Sequence, residues 1–242
     1  MNQFFIVGAQ RSGTTWLYQM LQQHPQICMA QPIRPEPKYF LDQLQNCNHA
    51  DYCSRYFNNL NDNILACGEK STSYIESEFA AQNIARVFPH AKIIMLLRDP
   101  VQRAISNFQF SVDNGIETRS LSEAIFKTKA APTLSATIST DPFDYLGRGI
   151  YQRYLAMYQQ YFASTNILLL CNELIVNDLS YLRQTYHFLG VGLDFTPDNF
   201  NQVENRSHNN TVPPQDVLDY LSQYYRQTRL AMQPYFDSSC WN

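Results

Sequence analysis

No run of lysine or arginine in this 242-residue chain exceeds two residues, and Lys plus Arg (18) are outnumbered by Asp plus Glu (21). A formal net charge of −3 and the lack of a basic stripe argue against a general nucleic-acid binder. Charge is scarce altogether, at 16% of residues against about 25% for an average soluble protein. Asparagine and glutamine fill much of that gap. Glycine is sparse at 8 residues, while hydrophobic residues reach 45%, which excludes collagen-like and wholly disordered chains. Long apolar runs are missing too. The longest, Ile93 to Leu97 and Ile167 to Cys171, fall far short of the roughly 20 residues of a membrane-spanning helix, so no membrane span is expected. Phe4-Phe5-Ile6-Val7 is too short for the apolar core of a signal peptide and runs into Gly8. The six cysteines form no CxxC pair and have no histidine partners at zinc spacing. They read as free thiols in a reducing compartment, and the expected location is cytoplasmic. A pairing of Cys47 with Cys53 stays open.

What is present is a rhythm. Residues 3–7 read as a short buried strand ending at a glycine. Trp16, Leu17, Met20 and Leu21 then recur at helical spacing from Thr14 to Gln23. Strand, tight loop and helix open a βαβ unit. Residues 76–88 read as a helix with Phe79, Ile84, Val87 and Phe88 on its inner side. Lys92 to Leu97 is apolar throughout, as an interior parallel strand should be, and Pro100 suits the first turn of the helix that follows. The pattern repeats: a helix over 149–162, a buried strand over 166–171, and a helix from Tyr181 to Leu189 stopped by Gly190. Helices alternating with buried strands predict an α/β fold, three layers around a mainly parallel sheet. The length suits a single domain over 1–242. Segments 26–66 and 114–147 break the rhythm and read as lid-like or binding loops.

The strongest chemical signal is Gly8 to Thr15, GAQRSGTT. Its two glycines stand as in a Walker A loop, whose backbone N–H groups wrap a phosphate at a helix N-terminus. Thr14 occupies the lysine position of that motif and Thr15 its Ser/Thr position. Without the lysine that reaches the β- and γ-phosphates the loop is a poor nucleoside triphosphatase. Arg11 supplies a cation instead. Phosphate binding without ATP hydrolysis is the reading.

GAQRSGTTWLYQMLQQHP resembles the 5′-phosphosulfate-binding segment of sulfotransferases that use 3′-phosphoadenosine 5′-phosphosulfate (PAPS). LLRDPVQRAISNF resembles their second nucleotide segment, with Arg98 and Ser106 at the positions that hold the 3′-phosphate. The opening loop is equally similar to that of tyrosylprotein sulfotransferases. Glu36-Pro-Lys-Tyr-Phe and GEKSTSYI resemble two further segments of carbohydrate, heparan-type sulfotransferases, in which the glutamate is the proposed base. Thr72 stands where the second of these has proline. The resemblance covers roughly residues 3–175. No match to the family's C-terminal nucleotide loop or its disulfide hairpin is found in the amide-rich tail.

The resemblance implies a P-loop-kinase-like fold with PAPS as co-substrate, 3′-phosphoadenosine 5′-phosphate (PAP) as product and no metal. It implies in-line transfer to a hydroxyl, or less readily an amine, of a glycan, glycolipid or small molecule, by a monomer or homodimer. Arg11, Ser12, Gly13, Thr14, Thr15, Trp16, Arg98 and Ser106 would then bind the nucleotide. Glu36, Arg11 and Lys70 would be catalytic, with His208 the next candidate base. Plainer readings stand beside these: a surface Glu69–Lys70 ion pair, a solvated Glu36, structural Arg103 and Arg148, and a capping His24. A P-loop nucleotide or small-molecule kinase, with Asp99 imitating the magnesium-binding aspartate, is the alternative enzyme. A non-catalytic nucleotide-binding protein is the third reading.

Overall fold

A computed structural model describes residues 1–41, 46–58, 60–132, 141–176, 178–200, 212–236, 240 and 241. The chain falls into two compact units, Met1–Leu97 with Tyr154–Val203, and Arg98–Arg153 with Glu204–Asn242.

The first unit contains the sheet. Strands β1 (Asn2–Gly8), β2 (Ile27–Met29), β3 (Ala66–Lys70), β4 (Lys92–Leu97) and β5 (Ile167–Cys171) lie in the order β2-β3-β1-β4-β5. Every pairing is parallel. The strand that leads into the glycine loop is therefore central, between β3 and β4. Parallel sheets need cover on both faces. One face packs Phe4, Ile6, Ile94 and Leu96 against Leu17 and Leu21 of α1 (Thr14–Gln22) and Leu182, Tyr186 and Leu189 of the helix Leu179–Leu189. The other face is aromatic. Phe5, pointing opposite to its neighbours, meets Phe40 edge-on at 5.4 Å and lies near Tyr52 and Phe88. Tyr52 comes from α2 (His49–Tyr56), and Phe88 follows α3 (Glu78–Val87). The α/β reading with its parallel sheet and flanking helices thus holds.

Local rules place the ends. Ser77 caps α3 by accepting from Ala80 N at 3.1 Å, and Gly190 stops the helix Leu179–Leu189 in the left-handed region at φ 76°. The strand Lys92–Leu97 has the bounds expected of it. Phe79 corrects the inner face assigned to its helix: it is exposed, whereas Ile84 and Phe88 are buried as expected, with Ala80, Ala81 and Asn83 beside them. The irregular-looking stretch 26–66 holds β2, α2 and the start of β3. Among the described residues, no helix is long and apolar enough to cross a membrane.

The second unit is helical. Its elements include α4 (Pro100–Asp113) and α5 (Leu121–Ile125), the latter within the stretch 114–147. Val101, Ala104 and Phe108 of α4 pack with Ala124, Tyr145, Val217, Leu221 and Tyr225 in a core of their own. Arg103 is fully buried there. It donates to Asn107 at 3.1 Å and to the Tyr145 carbonyl, which makes it structural. Glu117 lies alongside, accepting from Arg119 Nη2 at 2.7 Å and Tyr145 OH at 2.8 Å.

Cys28, Cys47, Cys53 and Cys67 are free thiols, as expected of them. Cys171 and Cys240 are disulfide-bonded, which corrects the expectation for those two.

Candidate functional site

The loop between β1 and α1 leaves the carboxyl end of the central strand, where parallel α/β sheets bind their ligands. Ala9 N donates to Leu96 O at 2.8 Å, so the loop's first turn is tied to β4. Arg11 takes a left-handed backbone at φ 69° and Gly13 another at φ 86°. Gly13 is also the N-cap of α1 and has no side chain to cap it with. The first N–H groups of a helix have no partner inside it, and at Thr14, Thr15 and Trp16 no side-chain cap supplies one. Ser12 Oγ is buried and without a hydrogen-bond partner. Gly13 is further constrained from outside. A Cβ there would come within 2.3 Å of Asn172 Nδ2, so only glycine lets the residue after β5 lie against the loop. A backbone cradle with positive helix-dipole end and an unspent hydroxyl suits a tetrahedral anion.

Lys70 ends β3, the strand next to β1, and pairs in register with Ile6. Its side chain is buried and reaches Glu36 Oε1 at 2.6 Å. Glu36 is the best-held residue of its loop. Thr72 N donates to Oε2 at 2.9 Å, and Thr72 Oγ1 lies 3.0 and 3.1 Å from the two oxygens. The structure thus joins Glu36, Lys70 and Thr72 at the same sheet edge as the glycine loop. Two plainer readings are corrected here. Glu36 is largely covered rather than solvated, and Glu69 and Lys70 are both buried, with the ammonium paired to Glu36 and not to its neighbour. Adjacent strand residues point to opposite faces, so a Glu69–Lys70 pair was geometrically disfavoured.

Trp16 is buried, packs on Phe200 at 5.6 Å and spends its indole N–H on the Phe200 carbonyl at 3.3 Å. What it can offer a ligand is its backbone N–H. His24 is not the cap expected of it. The C-cap of α1 is Gln23, and the His24 ring bonds the turn beyond the helix: Nδ1 accepts from Gln26 N at 3.1 Å and Nε2 lies 2.9 Å from Gly192 O.

In the second unit, Arg98 immediately follows β4 and its carbonyl accepts from Tyr151 OH at 2.8 Å. Ser106 lies on α4, half-buried. Asp99 caps α4 by accepting from Gln102 N at 3.0 Å and pairs with Arg229 at 2.6 Å. Its carboxylate is committed to these partners, which weakens the kinase reading that needed it for magnesium. Arg148 is buried. His208 lies outside the described residues.

Residues 1–223 match the family model described as Sulfotransferase domain. The chain belongs to the sulfotransferase family. Among curated relatives, this chain is 26% identical over 199 residues to mouse heparan sulfate glucosamine 3-O-sulfotransferase 3B1, covering 82% of the chain and 48% of the relative. The chain spans about half or less of the length of the curated relatives it matches. Two solved structures share its fold. A sulfotransferase from Alicyclobacillus acidocaldarius superposes with TM-score 0.79 at 22% identity, covering 100% of this chain and 98% of the other. Mouse sulfotransferase SULT7A1 complexed with PAP superposes with TM-score 0.53 at 16% identity, covering 96% and 85%. Both likenesses carry the fold expectation of a P-loop-type α/β domain.

Proposed function

We propose that the chain, acting as one domain over 1–242, transfers a sulfuryl group from PAPS to a hydroxyl, or less readily an amine, of a glycan, glycolipid or small molecule. The observation that carries this reading is the 2.6 Å contact between Lys70 and Glu36 beside an uncapped glycine loop that lacks the P-loop lysine. A base and a cation stand together where a donor held by that loop would present its sulfuryl group.

In this reading the N–H groups of Arg11 to Thr15, with the Arg11 guanidinium and the hydroxyls of Ser12, Thr14 and Thr15, hold the 5′-phosphosulfate. Arg98 and Ser106 hold the 3′-phosphate, the guanidinium as a two-pronged donor. PAPS supplies the activated sulfur–oxygen bond. Glu36 takes the acceptor's proton as the new bond forms. Lys70 orients Glu36 before reaction, and offers its ammonium to the charge that builds on the leaving oxygen. Sulfuryl transfer develops less anionic charge than phosphoryl transfer, so these cations suffice and the reading includes no metal. A glycan acceptor is supported by the heparan sulfate sulfotransferase among the relatives. A cytoplasmic setting is supported by the four free thiols, with the disulfide-bonded Cys171 and Cys240 weighing the other way.

The test is thermal shift with PAP against ATP plus magnesium, followed by transfer from labelled PAPS to a panel of hydroxyl acceptors in EDTA. A ligand at about 100 times its Kd stabilises by roughly 2.7 kcal/mol. Preferential stabilisation by ATP with magnesium would refute the proposal.

A further inference from the structure

Glu69 precedes Lys70 on β3, and none of the steps above uses it. It is fully buried, and three hydroxyls converge on its carboxyl group. Tyr52 OH donates to Oε2 at 2.7 Å and Ser71 Oγ to Oε1 at 2.5 Å. Tyr74 OH hydrogen-bonds it as well. Two of these same hydroxyl oxygens receive backbone N–H groups from the loop that carries Glu36. Lys38 N donates to Ser71 Oγ at 2.9 Å, and Phe40 N donates to Tyr74 OH at 3.1 Å. On the far side of the loop, Asn83 Nδ2 holds the Phe40 carbonyl at 3.2 Å.

The direction of these bonds follows from proton counting. A hydroxyl has one proton and two lone pairs, and an ionised carboxylate can only accept. Ser71 and Tyr74 must therefore point their protons at Glu69, which turns their lone pairs to Lys38 and Phe40. We propose that Glu69 is a positioning residue for sulfuryl transfer: its carboxylate orders the Ser71 and Tyr74 hydroxyls, which clamp the Lys38 and Phe40 amides and so fix the loop that presents Glu36. This role rests on the reading of Glu36 as base.

The clamp depends on protonation. A protonated Glu69 carries its own proton and donates it to one of the three hydroxyls. Where that hydroxyl is Tyr74, whose proton stays near the ring plane and has two sites there, it turns toward Phe40 N, and the amide meets a donor in place of an acceptor. Ser71 has a third site for its proton and keeps a lone pair for Lys38 N. Burial pushes the Glu69 carboxyl up to about 7, against the hydrogen bonds from Ser71, Tyr52 and Tyr74 and with the help of the Glu36 charge. The other titratable groups facing it are Tyr56 from α2 and Tyr158. The phenols of Tyr52, Tyr56, Tyr74 and Tyr158 are all raised, by burial first, so they stay neutral throughout this range. The Lys70 ammonium lies with Glu36, on the opposite face of the strand. Glu69 is thus the group that switches near neutrality.

The test reads the clamp without relying on catalysis. Backbone hydrogen exchange at Lys38 and Phe40, corrected for intrinsic rates, is followed in the full chain from about pH 8.5 to about pH 5.5. Protection of the Phe40 amide should fall at least about twofold on acidification, with the Lys38 amide changing less. In Glu69→Gln it should be low and independent of pH. That variant should also lose about 10- to 100-fold in kcat, the cost of a loop misplaced by about an ångström. Its PAP affinity should be unchanged and the neutral-pH limb of its kcat profile missing. Tyr74→Phe keeps the carboxyl group and removes the acceptor of Phe40 N together with one of the three hydroxyl donors to Glu69. It should lose protection at Phe40 and show the same kcat defect. Wild-type protection that ignores pH, or full turnover in both variants, overturns the proposal. Full turnover in Glu36→Gln with the exchange response intact would instead overturn the base assignment alone.

Discussion

Lys70 Nζ and Glu36 Oε1 lie 2.6 Å apart although 34 residues separate them in the chain. The contact joins a strand end to a loop, and it makes the two residues experimentally separable. Glu36→Gln keeps the shape and the Thr72 contacts but removes basicity. Its kcat should fall by about 10²–10⁴-fold, with PAP affinity by calorimetry unchanged. Lys70→Ala should also cut kcat, yet its loss should track the leaving group of the donor and not the pKa of the acceptor. A series of acceptors of graded acidity distinguishes the two.

Arg98→Ala should weaken PAP by about 2–5 kcal/mol through loss of a charge-assisted pair. Ser106→Ala should cost on the order of 1 kcal/mol, one hydrogen bond. Titration with PAP and with its analogue lacking the 3′-phosphate is the control. Equal wild-type affinity for the two nucleotides would mean that these residues do not read that phosphate.

Restoring the Walker A lysine should not create an ATPase. Thr14→Lys places a second cation beside Arg11 at one anion site, and Asp99 is already bound to Arg229. We expect reduced sulfuryl transfer and no magnesium-dependent phosphate release. Robust ATP hydrolysis by this variant would bring the kinase reading to the front.

Gly13→Ala should lose PAP binding and about 1–2 kcal/mol of stability, since an L-residue at φ 86° is disfavoured by that amount. The added methyl also meets Asn172. Asn172→Ala in the same chain should relieve the collision but not the backbone penalty. Partial recovery of Tm is the outcome that separates them.

Glu69 imposes a pH dependence on the fold itself. Its folded-state pKa of about 7 stands above the ordinary 4.5, so the native state holds the proton more tightly than the unfolded chain. Stability is therefore full below the ordinary value and declines as pH rises through neutrality, by up to about 3 kcal/mol. Glu69→Gln should flatten that slope in urea titrations between those limits. Global stability and the loop clamp thus move in opposite directions with pH, which a general loosening of the fold would not produce.

The glycine loop was legible because its backbone requirements are written in residue types: two glycines, small hydroxyls and a helix directly behind. The strand Lys92–Leu97 was legible because burial on both faces demands an unbroken apolar run. β3 was not. Ala-Cys-Gly-Glu-Lys has little β-propensity and two charges, yet all five residues are buried. Gly68 is there because the Phe4 ring lies flat on it, 2.0 Å from where a Cβ would stand. Glu69 is tolerated because tyrosines from α2 and from beyond β3 supply its hydrogen bonds. Such compensation is tertiary and leaves no local pattern. Phe79 shows the converse: an apolar residue at helical spacing that faces water.

The placement of β1 at the centre of an all-parallel sheet also bears on how the chain is made. Phe4 to Val7 leave the ribosome before either neighbouring strand exists, since the partners are residues 66–70 and 92–97. A buried apolar strand must therefore wait, unpaired, until β3 has been made. Long-range parallel pairing is slow to form, and exposed strands in this state associate readily. Fragments ending before β4 should accumulate as aggregates. Production of the whole chain should accordingly be limited by the pace of translation and by chaperone supply more than by the stability of the finished fold.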